Sequence, residues 1–219
     1  MKCTSCREEI KPVVAIDIDG TMGQYHYHFL RFAADYLGEP VSTGYEGQIF
    51  FKQWFKTTYR VDNNVWHDIK LAYRQGGMKR TMAPYNDARK LCDAIRRTGA
   101  ELWVTTTRPY IRHDNIDPDT RHWLERHSIM YDYLLYDGHK YAKLAQLVGR
   151  QRVCAVLDDL PEEIMEARDL FGTDVPVWRK NEWNGAWRAC PTISISELVS
   201  AKNVILSQIE LWKEKNATR

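Results

Sequence analysis

Val13-Val14-Ala15-Ile16-Asp17-Ile18-Asp19-Gly20-Thr21 is an apolar run that stops abruptly at two carboxylates and a turn. Its β-branched, uninterrupted start suits a strand buried on both faces of a parallel sheet. Strand alternation puts Asp17 and Asp19 on the same side. In an open α/β sheet the carboxyl ends of the strands face the ligand crevice, where two such carboxylates can share a hard cation. Acidic turn residues at an exposed strand end would produce the same letters; the surrounding chain decides between the two.

Three later stretches repeat the pattern in order. Leu102-Trp103-Val104-Thr105-Thr106-Thr107-Arg108-Pro109 is a second apolar strand, ending in hydroxyls that can donate to a phosphate oxygen. Lys140 follows a short strand ending at Tyr136 and the turn Asp137-Gly138, and opens a helix from which its ammonium can reach a bound phosphate; Lys143, one turn on, is its rival. Val153-Cys154-Ala155-Val156-Leu157-Asp158-Asp159 is a further buried strand closed by paired acids. Adjacent carboxylates repel unless a cation neutralises them, so metal binding explains the pair better than turn chemistry, with an N-cap role able to coexist.

The ordered set Asp17-x-Asp19-Gly20-Thr21, Thr106, Lys140 and Asp158-Asp159 resembles the four motifs of the haloacid dehalogenase superfamily of phosphatases. Within it, Thr106-x-Arg108-Pro109 and the helix Thr120-Arg121-His122-Trp123-Leu124-Glu125 are similar to the deoxyribonucleotidase-like branch, which includes phage members. The resemblance implies Asp17 as nucleophile, forming an aspartyl-phosphate, and Asp19 as the group that protonates the leaving oxygen and then activates water. It implies Mg2+ on the Asp17 side chain, the Asp19 main-chain carbonyl and one or both of Asp158 and Asp159, with Thr106, Thr107 and Lys140 (or Lys143) on the phosphate. The interval from Lys140 to Asp158 is longer than the branch pattern.

Alternating apolar runs and amphipathic segments predict a Rossmann-like α/β core, a parallel sheet flanked by helices. Strands are expected at Val13–Ile16, Leu102–Thr105, Tyr133–Tyr136, Val153–Leu157 and Val175–Trp178. Residues 22–80 carry helical pattern without a buried strand, which predicts a small helical cap inserted after the first strand, with Gly76-Gly77 as the hinge back to the core. The division is therefore a tail over 1–12, a core over 13–21 and 81–195, the cap over 22–80 and a C-terminal helix over 196–219. The cap is rich in aromatics; helical spacings such as Phe29, Phe32 and Tyr36 make most of them its own packing, while Phe50, Phe51 and Trp54 are candidates to stack on a substrate base.

The net charge of +2, 44% hydrophobic and 27% charged residues describe an ordinary globular chain and exclude a nucleic-acid-coating protein. No stretch has signal-peptide or membrane-spanning character, which predicts a cytoplasmic protein without a membrane partner. Cys3-x-x-Cys6 has zinc-ligand spacing but lacks a second pair, which favours a reduced tail over a Zn2+ site. His113, His122, His127 and His139 have no regular metal spacing. Trp178-Arg179-Lys180, Trp183 and Trp187-Arg188 interleave bases and rings, as a nucleic-acid surface or a packed helix bed would.

The composite expectation is a phosphomonoesterase on a small phosphorylated substrate, a nucleotide by resemblance. A phosphatase of nucleic-acid ends and a non-catalytic nucleic-acid-binding module are the alternatives. The sequence leaves oligomeric state open.

Overall fold

All five expected strands form, and a sixth joins them. In the computed structural model, which describes residues 10–44, 51–109, 111–181, 183–184 and 192–217, the sheet is built from β1 (Val13–Asp17), β2 (Glu101–Thr106), β3 (Tyr133–Tyr136), β4 (Val153–Asp158), β5 (Pro176–Arg179) and β6 (Ile193–Ile195). Every pairing is parallel and the order is β3-β2-β1-β4-β5-β6. The chain therefore winds outward from β1 through β2 to β3, then returns to the other side of β1 with β4. That reversal is the topological switch point, where parallel sheets open a crevice at their carboxyl ends. In-register pairing of Ile16 with Leu157 brings the ends of β1 and β4 side by side there.

The strands are apolar on both faces because both faces are covered. One face packs against α4 (Ala88–Arg97), α5 (Ile116–Arg126) and α8 (Leu198–Ala217), with Val14, Ile16, Leu91, Ile95, Trp123, Leu198, Ile205 and Ile209 in one buried cluster. The other packs against α6 (Lys140–Val148) and α7 (Pro161–Phe171), with Val13, Ala15, Val156, Tyr141, Leu144 and Ala167 in another. Pro161 at the start of α7, with Glu162 and Glu163 in its first turn, suits the free N–H groups and positive dipole of a helix N-terminus.

The expected helical cap is present as α1 (Tyr25–Leu37), α2 (Phe51–Thr58) and α3 (Asn63–Gln75). Asp62 caps α3 by accepting from the Val65 N–H at 2.9 Å. The three helices bury their own core of Phe29, Leu30, Trp54, Phe55, Trp66, Ile69 and Tyr73, joined by Trp183 from the far end of the chain. Each fully buried large side chain contributes about 1.5–3 kcal/mol. Gly77, at φ +65°, then turns the chain into a short 3-10 segment, Met78–Thr81, that leads back to the core. No helix among the described residues is long and apolar enough to cross a membrane. Cys3, Cys6, Phe50, Trp187 and Arg188 lie outside the described residues.

Candidate active site

The geometry begins where β1 and β4 stop. Asp17, Asp158 and Asp159 are buried, and each offers a carboxylate oxygen within 4.8 Å of the others. Among the described residues no histidine or cysteine joins such a group. Lys140, at the start of α6, places Nζ 2.6 Å from both Asp17 Oδ1 and Asp158 Oδ2. Its rival Lys143 is exposed on the same helix. Both Asp158 oxygens have protein partners: besides Lys140 it accepts from the Tyr141 hydroxyl at 2.6 Å and the Leu160 N–H at 2.9 Å.

Asp159 is not occupied. Its Oδ1 accepts from Thr21 Oγ1 at 3.2 Å, while the buried Oδ2 has no hydrogen-bond partner. Gly20, at φ +96°, is the reason the carboxylate can sit so close: a Cβ there would lie 2.2 Å from Oδ2. Burial, followed by repulsion from Asp158 and Asp17, raises the Asp159 carboxyl well above its ordinary pKa. Burial likewise pushes Asp17 up to about 7, against the opposing pull of Lys140 and with Asp158 adding to it. Three buried carboxylates facing one ammonium, with an orphaned oxygen, fit a divalent cation held by hard oxygen ligands.

Asp19 lives in the opposite environment. Arg108 grips it with a fork, Nε to Oδ2 at 2.9 Å and Nη2 to Oδ1 at 2.6 Å, and Lys79 from the 3-10 segment donates to Oδ2 as well. Burial alone would raise its pKa, but Arg108 and then Lys79 overcome that and hold the carboxyl well below the usual range. Arg108 is itself fixed by Thr120 Oγ1 on α5, 2.8 Å from Nη1.

Asp17, Asp19, Thr106, Thr107 and Arg108 line a cavity of about 210 Å3, closed from the cap side by Tyr25, His26, Lys70, Tyr73, Arg74 and Lys79. Thr106 Oγ1 accepts from the Arg108 N–H at 3.3 Å and keeps its own proton to donate. A hollow of about 350 Å3 shares Arg74, Thr107, Arg108 and Pro109 and adds Arg112 and Tyr136. A larger one, about 710 Å3 along Pro84–Lys90, contains none of the acidic triad.

The structure thus brings together Asp17, Asp19, Thr106, Thr107, Lys140, Asp158 and Asp159. Phe51 and Trp54 are not among the lining residues of the cavity: Trp54 is buried in the cap core, and Phe51 packs against that core and against His26, which does line it. Several residues escaped the sequence. Trp178 Nε1 and Asn184 Nδ2 donate to the Asp159 carbonyl at 3.0 and 2.6 Å, and Arg179 and Asn181 donate to the Gly20 carbonyl at 2.8 and 3.1 Å. Trp178 and Arg179, from the Trp/Arg cluster, are therefore packing that clamps the two acidic loops, with the Arg179 guanidinium 3.7 Å from the Tyr85 ring centroid. Glu163, pushed up to about 7 chiefly by burial, stands near Lys140 and Asp158. Periodicity places Trp178 on a strand and Glu163 on a helix, but nothing in it marks their partners at the site.

No protein-family model matches the chain, and no curated protein matches it by sequence. Solved structures match it by shape. A predicted phosphatase from Clostridium acetobutylicum superposes with a TM-score of 0.63 at 13% identity, covering 91% of this chain and 100% of that one. A HAD-superfamily hydrolase of subfamily IA from Geobacter sulfurreducens gives 0.58 at 14% identity over 92% and 99%. A predicted phosphoglycolate phosphatase from Haemophilus somnus gives 0.61 at 12% identity over 90% and 99%. At these identities the likeness establishes the fold, Rossmann-like with an inserted cap, as that of HAD-superfamily hydrolases.

Proposed function

We propose that the chain is a Mg2+-dependent phosphomonoester hydrolase working through a phosphoryl-Asp17 intermediate. One observation carries this: the orphaned Asp159 Oδ2 beside Asp17 and Asp158, three buried carboxylates that the single Lys140 ammonium does not neutralise. Asp17, Asp158 and Asp159, with the Asp19 main-chain carbonyl, would hold the cation. When bound it neutralises those carboxylates and withdraws charge from the phosphoryl oxygens.

Asp17 Oδ attacks phosphorus, and the bond to the leaving oxygen breaks with its electron pair. Thr106 and Thr107 hydroxyls and the Lys140 ammonium donate to the phosphoryl oxygens. The leaving oxygen needs a proton that Asp19 alone does not carry, since Arg108 holds it ionised. Burial and the neighbouring Arg108 push Lys79, in contact with Asp19, down to about 7. The Asp19–Lys79 pair is therefore the proton source in our reading. In the second step Asp19 removes a proton from water and passes it to Lys79, which restores the pair, while the oxygen attacks phosphorus and the bond to Asp17 breaks to release inorganic phosphate.

The motif resemblance suggests a (deoxy)nucleoside monophosphate as substrate, its phosphate in the inner cavity and its sugar and base in the 350 Å3 hollow. Arg74, Arg108 and Arg112 along that hollow also favour a second reading, a terminal phosphate on a nucleic-acid strand. The test is phosphate release from a metabolite panel and a terminally phosphorylated oligonucleotide, with Mg2+ and with chelator. Mg2+-dependent release supports the proposal, and the better substrate class picks between the readings. No release from any member under either condition would overturn it.

A further inference from the structure

The cap face of the cavity carries more positive charge than the chain itself uses. Lys70 and Arg74 are one helical turn apart on α3, so they project from the same face, and both line the cavity. The other two cations there, Lys79 and Arg108, are committed to Asp19. Neither Lys70 nor Arg74 forms an ion pair with a carboxylate among the described residues. Lys70 donates to the Tyr25 hydroxyl, and its Nζ lies 4.9, 4.7 and 5.4 Å from the ring centroids of Tyr25, Phe29 and Trp66. Rings hold an ammonium in place without neutralising it. Asn115 Nδ2 donates to the Arg74 carbonyl at 2.6 Å, fixing that end of α3 over the cavity.

Both side chains are half-buried, and two like charges held side by side without a carboxylate partner repel each other, so an anion arriving between them is favourable. The transferred phosphoryl group does not need them, because Lys140, Thr106 and Thr107 serve it from the sheet side. We infer that Lys70 and Arg74 form a second anion subsite, selecting phosphomonoesters that carry a further carboxylate or phosphate; this rests on the hydrolase reading of the same cavity. About 210 Å3 is below the roughly 300 Å3 at which pockets for drug-sized ligands begin, so the two anionic groups sit on a short skeleton. Binding energy from the remote anion then positions the reacting phosphate.

Matched pairs test this. With Mg2+, kcat/KM is measured for 3-phosphoglycerate against glycerol 3-phosphate, and for a nucleoside 3′,5′-bisphosphate against the faster of its 3′- and 5′-monophosphates. The wild type should favour the doubly anionic member by about tenfold or more in at least one pair, and the pair that shows it identifies the second anion as carboxylate or phosphate. Lys70→Met, which keeps the aliphatic packing, and Arg74→Gln should each pull the ratio towards one. A ratio near one in both pairs of the wild type, or a ratio unchanged in both variants, overturns the subsite. Calorimetric binding of the same compounds to Asp17→Asn protein separates the two proposals. Preferential binding without phosphate release by the wild type leaves the subsite and removes the hydrolase, whereas equal binding removes the subsite whatever the turnover.

Discussion

The surroundings of the two aspartates that line the cavity are charged in opposite senses, although Asp17 ends β1 and Asp19 follows it by only two residues. On the sheet side Asp17, Asp158 and Asp159 share a single ammonium, and one buried oxygen has no partner. On the cap side Asp19 is gripped by Arg108 and Lys79, with Lys70 and Arg74 in addition. One wall lacks a cation and the other an anion. Two residues of spacing along a strand end suffice for this, because Asp17 faces the neighbouring strand ends while Asp19 faces the inserted cap. The contrast is what the two proposals build on: a cation among the three buried carboxylates and an anion beside Lys70 and Arg74.

The strongest way to break the contrast is to remove the nucleophile. Asp17→Asn keeps the shape and takes away the attacking oxygen, so turnover should fall by about 10^3-fold or more. Wild-type phosphate release from that variant would end the covalent mechanism. On the opposite wall, Arg108→Met leaves Lys79 as the only cation on Asp19. We expect kcat to drop by about 10^2-fold, with the acid limb of the pH–rate profile moving to higher pH as the Asp19 carboxyl regains a more ordinary affinity for protons. An unchanged profile would mean that Arg108 supports the fold and not Asp19.

The walls should also answer pH and metal differently. Burial holds Asp17 near 7, against an ordinary value of 3.8, so the folded metal-free chain keeps a proton there that the unfolded chain has lost. Its contribution to stability therefore declines as pH rises from about 4 to 7 and is level above that. Asp159 and Glu163, both raised, run the same way. Asp19 has the other sign: its stabilisation is complete above about pH 4 and is lost only on further acidification. Mg2+ must displace those protons on the sheet side, so saturating Mg2+ should raise Tm by roughly 5–10 °C at pH 7.5 and by much less at pH 5. Asp159→Asn should abolish most of that gain while making the metal-free protein less sensitive to pH. A Mg2+ shift equal at both pH values would remove the acidic triad as the metal site.

What the sequence made legible follows the same division. Strands β1 to β5 were readable because a strand covered on both faces is a continuous apolar run, and the acids at the ends of β1 and β4 stood out by interrupting such runs. β6 was not readable: Ile193 and Ser194 are exposed, so a three-residue edge strand carries little apolar signal. Lys140 and Lys143 are one turn apart on α6, and no spacing argument separates them; burial against Asp17 and Asp158 does. The cap side was nearly silent. Lys70, Arg74 and Lys79 look like solvated helix charges in the sequence, and only the folding of the cap over β1 and β2 gives them their address. Arg179, at the end of β5, and Asn181 and Asn184, in the loop beyond it, hold the Gly20 and Asp159 carbonyls, and neither strand alternation nor loop composition announces those partners.

The smallest expected effect concerns the aromatics. Phe51 lies edge-on to His26 at 5.3 Å and to Trp183 at 5.5 Å between ring centroids, so it stands one layer behind the cavity lining. A base stacked in the cavity would meet His26 or Tyr25, not Phe51. Phe51→Leu removes these edge contacts and those to Phe29 and Trp66, each worth about 0.5–1.5 kcal/mol, and should lower Tm by several degrees. Because leucine still fills most of the space behind His26, KM for a nucleotide should stay within about threefold, a difference worth under 1 kcal/mol. A tenfold rise in KM with kcat intact would instead place Phe51 against the substrate, and would make the cap an aromatic clamp for a base in addition to a cationic lid over a second anion.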